Sequence, residues 1–423
     1  MKKKSCVLLS LFMACFLLFN LFSCSTKINA YDLMKGIKAK EVQTVSLNDE
    51  FVRSQNNFSI ELFKKSYLTN RSQNTLISPL SVYLALAMTA NGADGQTLEE
   101  MQRVLGGNLT LEQININLVN YVKSLPDDDK QKLKIANSIW FKDDPLLTVE
   151  QAFLQTNADY YGASAYKAPF NNQTVKDINN WVKNKTERTI DKAIENISKD
   201  AVMYLVNALL FEGEWTAIYE HDEVKKEKFT SIHGEERNVK MMLSNESFFV
   251  QTNNATGVIK RYKGNAYSFV ALLPNEGIEF DSFINSLSPE EVRNAVSGYS
   301  SARVITKIPK FSYEYNINLK DVLSDMGMPS AFLVENADFS RLGSYEPKEE
   351  WNIYVMNVIH RTSISVAEKG TKAGAVTVIE MGKDTTSDPG ETKYVYLNRP
   401  FVYMIINNQT SLPIFMGCVT DIN

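Results

Sequence analysis

The two halves of this 423-residue chain favour different kinds of secondary structure. The first half carries helix signals: Ser78 and Pro79 suit the N-cap and first position of a helix, and residues 91–95 hold glycines that would end it. The second half is rich in β-branched and aromatic residues. Strands are predicted at residues 201–211, 248–260, 267–273, 302–309, 354–366 and 395–406. Helices followed by strands predict an α+β fold with large sheets.

Three helices are predicted before the strands begin. The first covers residues 80–88, which are apolar nearly all round, so we expect it to be buried. The second covers residues 97–105 and ends at Gly106 and Gly107, and the third covers residues 175–185. No repeat or break in composition follows the start of this region, so residues 53–423 are predicted to form one domain.

The first 23 residues have the pattern of a secretory signal rather than of a membrane span. Three lysines precede an apolar run at residues 7–22. The run ends Leu-Phe-Ser-Cys, which resembles the site at which exported lipoproteins are cleaved, with Cys24 as the lipidated first residue of the mature chain. A plain signal peptide with an incidental cysteine is the alternative. Residues 24–52 are predicted to form a polar tether.

Charge and cysteine content exclude several classes of site. At 44% hydrophobic and 22% charged residues, the chain has the composition of a soluble globular domain. Loss of the three leader lysines would leave 42 of the 45 basic residues against 49 acidic ones, a net charge of −7 that disfavours nucleic acid. Cys418 would be the one cysteine in the folded part, so neither an internal disulfide nor a cysteine-based metal site is expected. We expect no cofactor and no metal.

Catalytic motifs are absent from the sequence. Its three histidines are His221, His233 and His360, and no zinc-protease motif, nucleophile elbow or phosphate-binding glycine loop accompanies them. His360 shares one face of a predicted strand with apolar residues, so we expect it to be buried, neutral and hydrogen-bonded. A hydrolase that uses Ser78 or Ser81 with His360 remains an alternative. The sequence favours a protein that is not an enzyme.

Residues 368–384 alternate between two sets of side chains. The set that could face a core consists of Thr371, Ala373, Ala375, Thr377, Ile379 and Met381. The other set carries the charges, and a period of two is typical of a strand with one buried face. Gly370, Gly374 and Gly382 weaken this segment as a fixed strand, and residues 384–391 continue it as a polar loop. The segment is therefore predicted to be able to form either a loop or a strand.

Short blocks of sequence between residues 58 and 419 form one ordered set. They are Asn-Thr-Leu-Ile-Ser-Pro-Leu-Ser-Val-Tyr at 74–83, Gly-Ala at 92–93, Thr-Leu-Glu at 97–99, Leu-Val-Asn-Ala at 205–208, Gly-Glu-Trp at 213–215, Ile-Pro-Lys-Phe at 308–311, Ala-Asp-Phe-Ser at 337–340, Arg-Pro-Phe at 399–401 and Phe-Met-Gly at 415–417. The set resembles the serpins, a family of serine protease inhibitors. One block alone would be weak evidence for the resemblance, but this many blocks in serpin order are highly specific.

The resemblance implies a fold and a mechanism. The implied fold packs helices around a large central mixed β-sheet, with two smaller sheets and an exposed reactive-centre loop at about residues 368–393. A protease would attack this loop as a substrate and form an acyl-enzyme ester, and the cleaved segment would insert into the central sheet and trap the protease. The implied partners are serine proteases, trypsin-like or elastase-like, with cysteine proteases as a further class, and the inhibitor would be a monomer. A non-inhibitory serpin that acts as a binding or carrier protein is the alternative.

The resemblance also assigns roles to residues. The hinge of the loop would comprise Glu368, Gly370, Thr371, Ala373, Ala375 and Thr377. The shutter, a hydrogen-bonded cluster beneath the sheet, would comprise Ser78, Ser81, Asn207 and His360. Trp215 matches the breach, where insertion begins, although a plain core tryptophan would look the same. Small inward hinge residues suit insertion, and Ile379 and Met381 would add about 1.5–3 kcal/mol each on burial. Lys372 and Val376 depart from the family pattern.

Family spacing from Glu368 places the residue before the scissile bond at Asp384. Lys383 is chemically the better candidate for the residue before the scissile bond, because its cation suits the acidic specificity pocket of a trypsin-like protease. We predict the Lys383–Asp384 bond, then the bond after Asp384, with Met381 or Val378 as sites for elastase-like or chymotrypsin-like enzymes. With the lipoprotein motif, the resemblance predicts an exported inhibitor that is lipid-anchored in a bacterial cell envelope, at the periplasmic or surface face of the outer membrane, or extracellular.

Overall fold

Two large β-sheets and the helices around them form the body of the protein. The computed structural model describes residues 27–188, 190, 192–198, 201–346, 352–371 and 392–422. The helices are α1 (Asp49–Thr69), α2 (Pro79–Ala90), α3 (Gly95–Gly106), α4 (Leu111–Ser124), α5 (Gln151–Tyr161), α6 (Asn172–Lys185), α7 (Phe280–Ser286), α8 (Pro289–Ser297) and α9 (Lys320–Asp325). The strands are β1 (Tyr31–Asp32), β2 (Thr75–Ile77), β3 (Gln131–Lys142), β4 (Leu147–Val149), β5 (Ser164–Ala168), β6 (Met203–Glu214), β7 (Val224–Thr230), β8 (Glu236–Gln251), β9 (Ala255–Arg261), β10 (Tyr267–Pro274), β11 (Ser300–Pro309), β12 (Phe311–Asn318), β13 (Gly343–Tyr345), β14 (Ile359–Ala367), β15 (Gly370–Thr371), β16 (Lys393–Tyr396), β17 (Phe401–Asn407) and β18 (Pro413–Val419).

The strands group into three sheets. The first has seven strands in the order β1-β5-β3-β6-β15-β14-β12, and it is mixed because β3 and β5 pair in parallel. The second has nine strands in the order β16-β11-β8-β9-β10-β17-β18-β2, with β7 paired to β8. The sixteen-residue β8 pairs with β7, β11 and β9 in turn and so joins these strands into one sheet. A short pair, β4 and β13, completes the set, and the predicted α+β class with large sheets is confirmed.

Helix α2 is buried along its whole length, as its apolar sequence predicts. Ser78 is its N-cap, and the Ser78 side chain accepts a hydrogen bond from the backbone N–H of Ser81. Helices α3 and α6 also form where predicted, with ends that differ by up to three residues. Fraying and cap geometry decide such ends, and the hydrophobic period does not specify them.

Three strand predictions are wrong in extent. Residues 248–260 form parts of two strands, because Thr252 Oγ1 accepts backbone hydrogen bonds from Asn254 and Ala255 and turns the chain. Residues 395–406 also divide, since β16 ends at Tyr396 and β17 begins after Pro400. The strand predicted at 354–366 begins only at Ile359.

Residues 27–48, within the segment predicted to be a polar tether, lie along the body of the protein. Strand β1 pairs with β5 at the edge of the first sheet. The backbone N–H of Lys40 donates to Asp159, and that of Asn48 donates to Asn117. Helix α1, which the sequence analysis did not predict, begins at Asp49 because Asn48 caps it and acidic residues occupy its first turn.

Cys418 is the free cysteine of the described part of the chain. It lies fully buried on β18, with its Sγ 3.9 Å from the carbonyl oxygen of Gln73. Burial raises the pKa of the Cys418 thiol to about 12. Among the described helices, none is both long and apolar enough to cross a membrane.

Candidate functional site

The two-residue strand β15 lies between two long strands of the first sheet. Gly370 pairs with Ala367 of β14 on one side and with Glu214 of β6 on the other. Because β15 is antiparallel to both neighbours, β6 and β14 run parallel to each other. A two-residue turn, Glu368–Lys369, connects β14 to β15. We call it the hinge turn. The segment that alternates in sequence therefore begins as a strand between β6 and β14.

Gly370 allows β15 to approach β6 closely. Its φ is +156°, a conformation that side chains rarely adopt. A Cβ at this position would lie 2.0 Å from the carbonyl oxygen of Gly213 and 2.9 Å from the Cα of Glu214. Both neighbours are backbone atoms of β6, so β15 fits at this depth only with glycine.

Thr371 points into the protein. Its side chain is buried, and its hydroxyl shares a 2.5 Å hydrogen bond with the hydroxyl of Tyr262. Beside it lies a cavity of about 20 Å³, lined by apolar residues of both flanking strands that include Leu209 and Ile364. A small residue fits here and a large one would not, which agrees with the inward set predicted from the sequence.

Trp215 lies at the end of β6 and holds the turn before β15. Its indole Nε1–H donates to the carbonyl oxygen of Ala367 over 2.9 Å, and its backbone N–H donates to that of Lys369 over 2.9 Å. The ring is fully buried and stacks on Tyr262, with centroids 4.5 Å apart. Trp215 is thus a core residue that also bonds the hinge turn.

Glu368 is the acidic residue of that turn. Its carboxylate accepts a 2.7 Å hydrogen bond from Lys310 Nζ, and its carbonyl oxygen accepts one from the backbone N–H of Tyr219. Burial acts to raise the pKa of Glu368, but the hydrogen bond and charge of Lys310 outweigh it and lower the pKa. Sequence reasoning did not identify Lys310, which lies 58 residues away along the chain.

The structure brings Ser78, Ser81, Asn207 and His360 together at the start of α2. The backbone N–H of Ser78 donates to Nε2 of His360 over 3.0 Å. The hydroxyl of Ser81 donates to the amide oxygen of Asn207. His360 belongs to β14 and Asn207 to β6, so the helix start is bonded to both strands that flank β15.

Asn137 is a member of this cluster that sequence reasoning missed. Asn207 Nδ2 donates to its amide oxygen, and the two residues are directly opposite each other in the pairing of β3 with β6. Asn137 is buried. A polar residue within a strand segment is the sequence signal that could have identified it, because a buried polar side chain needs a hydrogen-bond partner. The cluster thus extends across three strands of the sheet.

The geometry around His360 does not form a catalytic triad. Burial lowers the pKa of His360 to about 4, so the imidazole is neutral. Its Nε2 accepts from a backbone N–H, while the Ser78 hydroxyl donates to the carbonyl oxygen of Ile414 over 2.9 Å. Neither this hydroxyl nor that of Ser81 donates to the imidazole, so no general base activates a serine here.

The remaining predicted site residues lie outside the part of the chain that the structure describes. They are Cys24, Ala373, Ala375, Thr377, Met381, Lys383 and Asp384. Their roles stay predictions. In the described ranges, no group of three or more histidine, cysteine, aspartate or glutamate side chains is arranged to hold a metal ion.

Comparison with known proteins gives a consistent result. A family model described as Serpin (serine protease inhibitor) matches residues 53–422. A serine protease inhibitor of Mus musculus is 30% identical, over 86% of this chain and 87% of its own. The native-state crystal structure of a thermophilic serpin, tengpin, is 44% identical and covers 93% of this chain and 100% of its own, with a TM-score of 0.88. The latent state of tengpin is 43% identical over 90% of this chain and 100% of its own, with a TM-score of 0.79.

Proposed function

Because the chain belongs to the serpin family of serine protease inhibitors, we propose that it is a suicide-substrate inhibitor that traps proteases by strand insertion. The observation that carries this proposal is β15. It is a strand of two residues, Gly370 and Thr371, held between parallel strands that are far longer than itself. The segment after Thr371 has the alternating pattern needed to continue β15 along both neighbours.

The reaction begins as ordinary proteolysis. The serine hydroxyl of the protease attacks the carbonyl carbon of the scissile bond, an ester to the inhibitor forms, and the peptide C–N bond breaks as the leaving amine takes a proton. The new chain end is then free of the segment that leads to β16. Residues 372–381 can extend β15 between β6 and β14 and satisfy their backbone groups on both sides. The esterified protease would move with that end before water hydrolyses the ester.

The cluster at the start of α2 fits this mechanism. Ser81 bonds Asn207 of β6, and Ser78 bonds His360 of β14, so the helix holds the two flanking strands at a fixed separation. A full strand between β6 and β14 requires the two to lie about twice the 4.8 Å spacing of neighbouring strands apart along its whole length. These hydrogen bonds would therefore act against insertion until cleavage releases the loop.

Complex formation with proteases tests the proposal. The protein should form covalent complexes with trypsin-like or elastase-like enzymes that survive denaturing electrophoresis, and mass spectrometry of the released fragment gives the cleaved bond. We propose Lys383–Asp384, followed by the bond after Asp384, with Met381 for elastase-like enzymes. Cysteine proteases form the second panel. Cleavage without a complex across both panels would overturn the inhibitory proposal in favour of a non-inhibitory binding or carrier serpin.

We further propose that the inhibitor is exported as a monomer and anchored through a lipid on Cys24. The leader pattern before this cysteine supports the proposal. Such an inhibitor would protect a cell envelope from proteases that reach it. Cys24→Ala should abolish incorporation of radiolabelled fatty acid and release the protein from membranes. Unchanged labelling in that variant would contradict the assignment of the anchor.

A further inference from the structure

A basic cleft lies next to the hinge turn. It has a volume of about 620 Å³ and opens between β7, β8 and the turn that leads into β15. Its lining contains the charged residues Lys225, Lys226, Lys240, Lys369 and Glu368, together with His221. We call it the lysine cleft. Four lysines and one carboxylate thus contribute to the lining, in a chain whose formal net charge is −4.

The carboxylate in the lysine cleft is already paired. Glu368 accepts from Lys310, which is not itself part of the lining. Lysines just outside the cleft also have acidic partners, since Lys228 pairs with Glu236 and Lys307 with Glu227. In contrast, none of the four cleft lysines forms an ion pair or hydrogen bond with another side chain in the described part of the chain.

Two of these lysines are placed where they repel each other. Lys226 of β7 is directly opposite Lys240 of β8 in an antiparallel pair. Residues in such positions have Cβ atoms about 5 Å apart, and like charges there destabilise a sheet. An anion that bridges the two ammonium groups would convert this repulsion into attraction.

The chemistry of the lining favours phosphate. Lysine ammonium groups are compact point charges, so a cluster of them suits a small anion of high charge such as a phosphate, whereas the two-pronged guanidinium of arginine matches carboxylate and phosphate alike. Among the residues that the structure describes, the lining includes no arginine. Tyr219, the one aromatic residue in that described lining, is buried and has no free face on which a nucleic-acid base could stack.

We propose that the lysine cleft is a binding site for a multivalent phosphate anion. The anion could be a soluble polyphosphate or the headgroup of a phosphate-bearing lipid. It would bridge Lys226 and Lys240 and contact Lys369 in the turn before Gly370. The binding site does not depend on protease inhibition.

Calorimetric titration with tripolyphosphate tests the site. The protein should bind one equivalent at about 0.1 M NaCl, and binding should weaken strongly at about 1 M, where the Debye length falls from about 10 Å to about 3 Å. K226A/K240A should lower the affinity about tenfold or more. K123A/K176A, which removes two exposed lysines on helices α4 and α6, should leave it within about twofold. Equal losses in the two double variants would overturn the proposal.

Three further binding experiments identify the class of anion. Citrate should bind more weakly than tripolyphosphate, and equal binding would exclude a phosphate site. A single-stranded oligonucleotide that binds more tightly than tripolyphosphate would replace the proposal with a nucleic-acid site. Sedimentation with vesicles of phosphatidylglycerol, compared between the native chain and K226A/K240A, distinguishes a lipid headgroup from a soluble anion. If neither tripolyphosphate nor the vesicles distinguish the native chain from this variant, the cleft is not an anion site.

Discussion

At the scale of single residues, Gly370 and Gly213 set how closely β15 approaches β6. The carbonyl oxygen of Gly213 occupies the position that a Cβ of residue 370 would need. A side chain at residue 213 would in turn meet the rings of Tyr262 and Phe211. Gly370 and Gly213, on adjacent strands, thus let β15 start in a space that the rings of Tyr262 and Phe211 already restrict.

Gly370→Ala should lower the free energy of unfolding by at least about 2 kcal/mol, because backbone strain adds to a clash with β6. Urea denaturation measures the change. Gly234→Ala is the matched control: Gly234 also has a positive φ of +81°, but no atom lies within 4 Å of its added Cβ. That variant should lose only about 1 kcal/mol. Equal losses in both would show that the close approach is not required.

His360 should make stability depend on pH. Its pKa is about 4 in the folded protein and 6.5 when unperturbed, so between these values the unfolded chain binds more protons. Its contribution is complete above pH 6.5 and is lost as the pH falls towards 4, by about 3 kcal/mol in total. The difference in urea stability between the native chain and His360→Gln should shrink accordingly from pH 7 to 4. A difference that stays constant from pH 7 to 4 would contradict a buried neutral imidazole at this position.

At the scale of elements, a buried ion pair connects β8, β9 and the segment after β6. Lys260 Nζ lies 2.6 Å from Glu246 Oε1 and 4.4 Å from the centre of the Tyr219 ring. Lys260 is 1% exposed. Burial acts to lower the pKa of Lys260, but Glu246 and Tyr219 outweigh it and raise the pKa. Lys260 is therefore charged at neutral pH.

Removing one partner of this pair should cost far more than removing both. Glu246→Gln leaves the Lys260 charge buried without its counter-charge and should lower the free energy of unfolding by about 3 kcal/mol. K260M/E246L should be close to neutral, since apolar residues can replace a buried pair. Glu236→Gln, which breaks an exposed pair with Lys228, should cost less than about 1 kcal/mol in the same urea titration. A single-variant loss as small as this control would refute the estimate.

The same elements show what local sequence could predict. Helix α2 was predictable, because Ser78, Pro79 and the apolar run all lie within one stretch of chain. The single strand predicted at residues 248–260 ignored the turn signal of Asn253 and Asn254. Lys260 could not be predicted as buried, because lysine is usually exposed and its partner Glu246 is on another strand. The Trp215 and Lys310 contacts with the hinge turn likewise depend on tertiary structure.

At the scale of the whole molecule, cleavage within residues 372–391 should stabilise the protein. An added strand would complete hydrogen bonds along β6 and β14 and bury apolar side chains, so we expect the thermal midpoint to rise by about 10 °C or more. Calorimetry of cleaved and intact protein measures it. An unchanged midpoint would support the binding or carrier alternative, in which no strand is added.

Thr371→Arg should separate cleavage from trapping. The cation would replace a buried hydroxyl that bonds Tyr262, next to a cavity of only about 20 Å³. We expect this variant to be cleaved by the same protease but to yield less than about a tenth of the covalent complex, because an unpaired charge cannot stay buried in β15 and would displace the strand from which insertion continues. Thr371→Ser retains the hydroxyl and should form complexes normally. Full complex formation by the arginine variant would contradict insertion at β15.

The rate at which the buried Cys418 thiol is alkylated can measure how often the nine-stranded sheet opens. A thiol with a pKa of about 12 reacts with alkylating reagents only when the structure around it opens. Cys418 lies between β17 and β2, in the nine-stranded sheet, whereas β15 lies in the other sheet. A rearrangement confined to the seven-stranded sheet would thus leave the labelling rate unchanged, whereas global unfolding would raise it. The labelling rate of Cys418 therefore reports how long the nine-stranded sheet stays closed, separately from any change in the seven-stranded sheet.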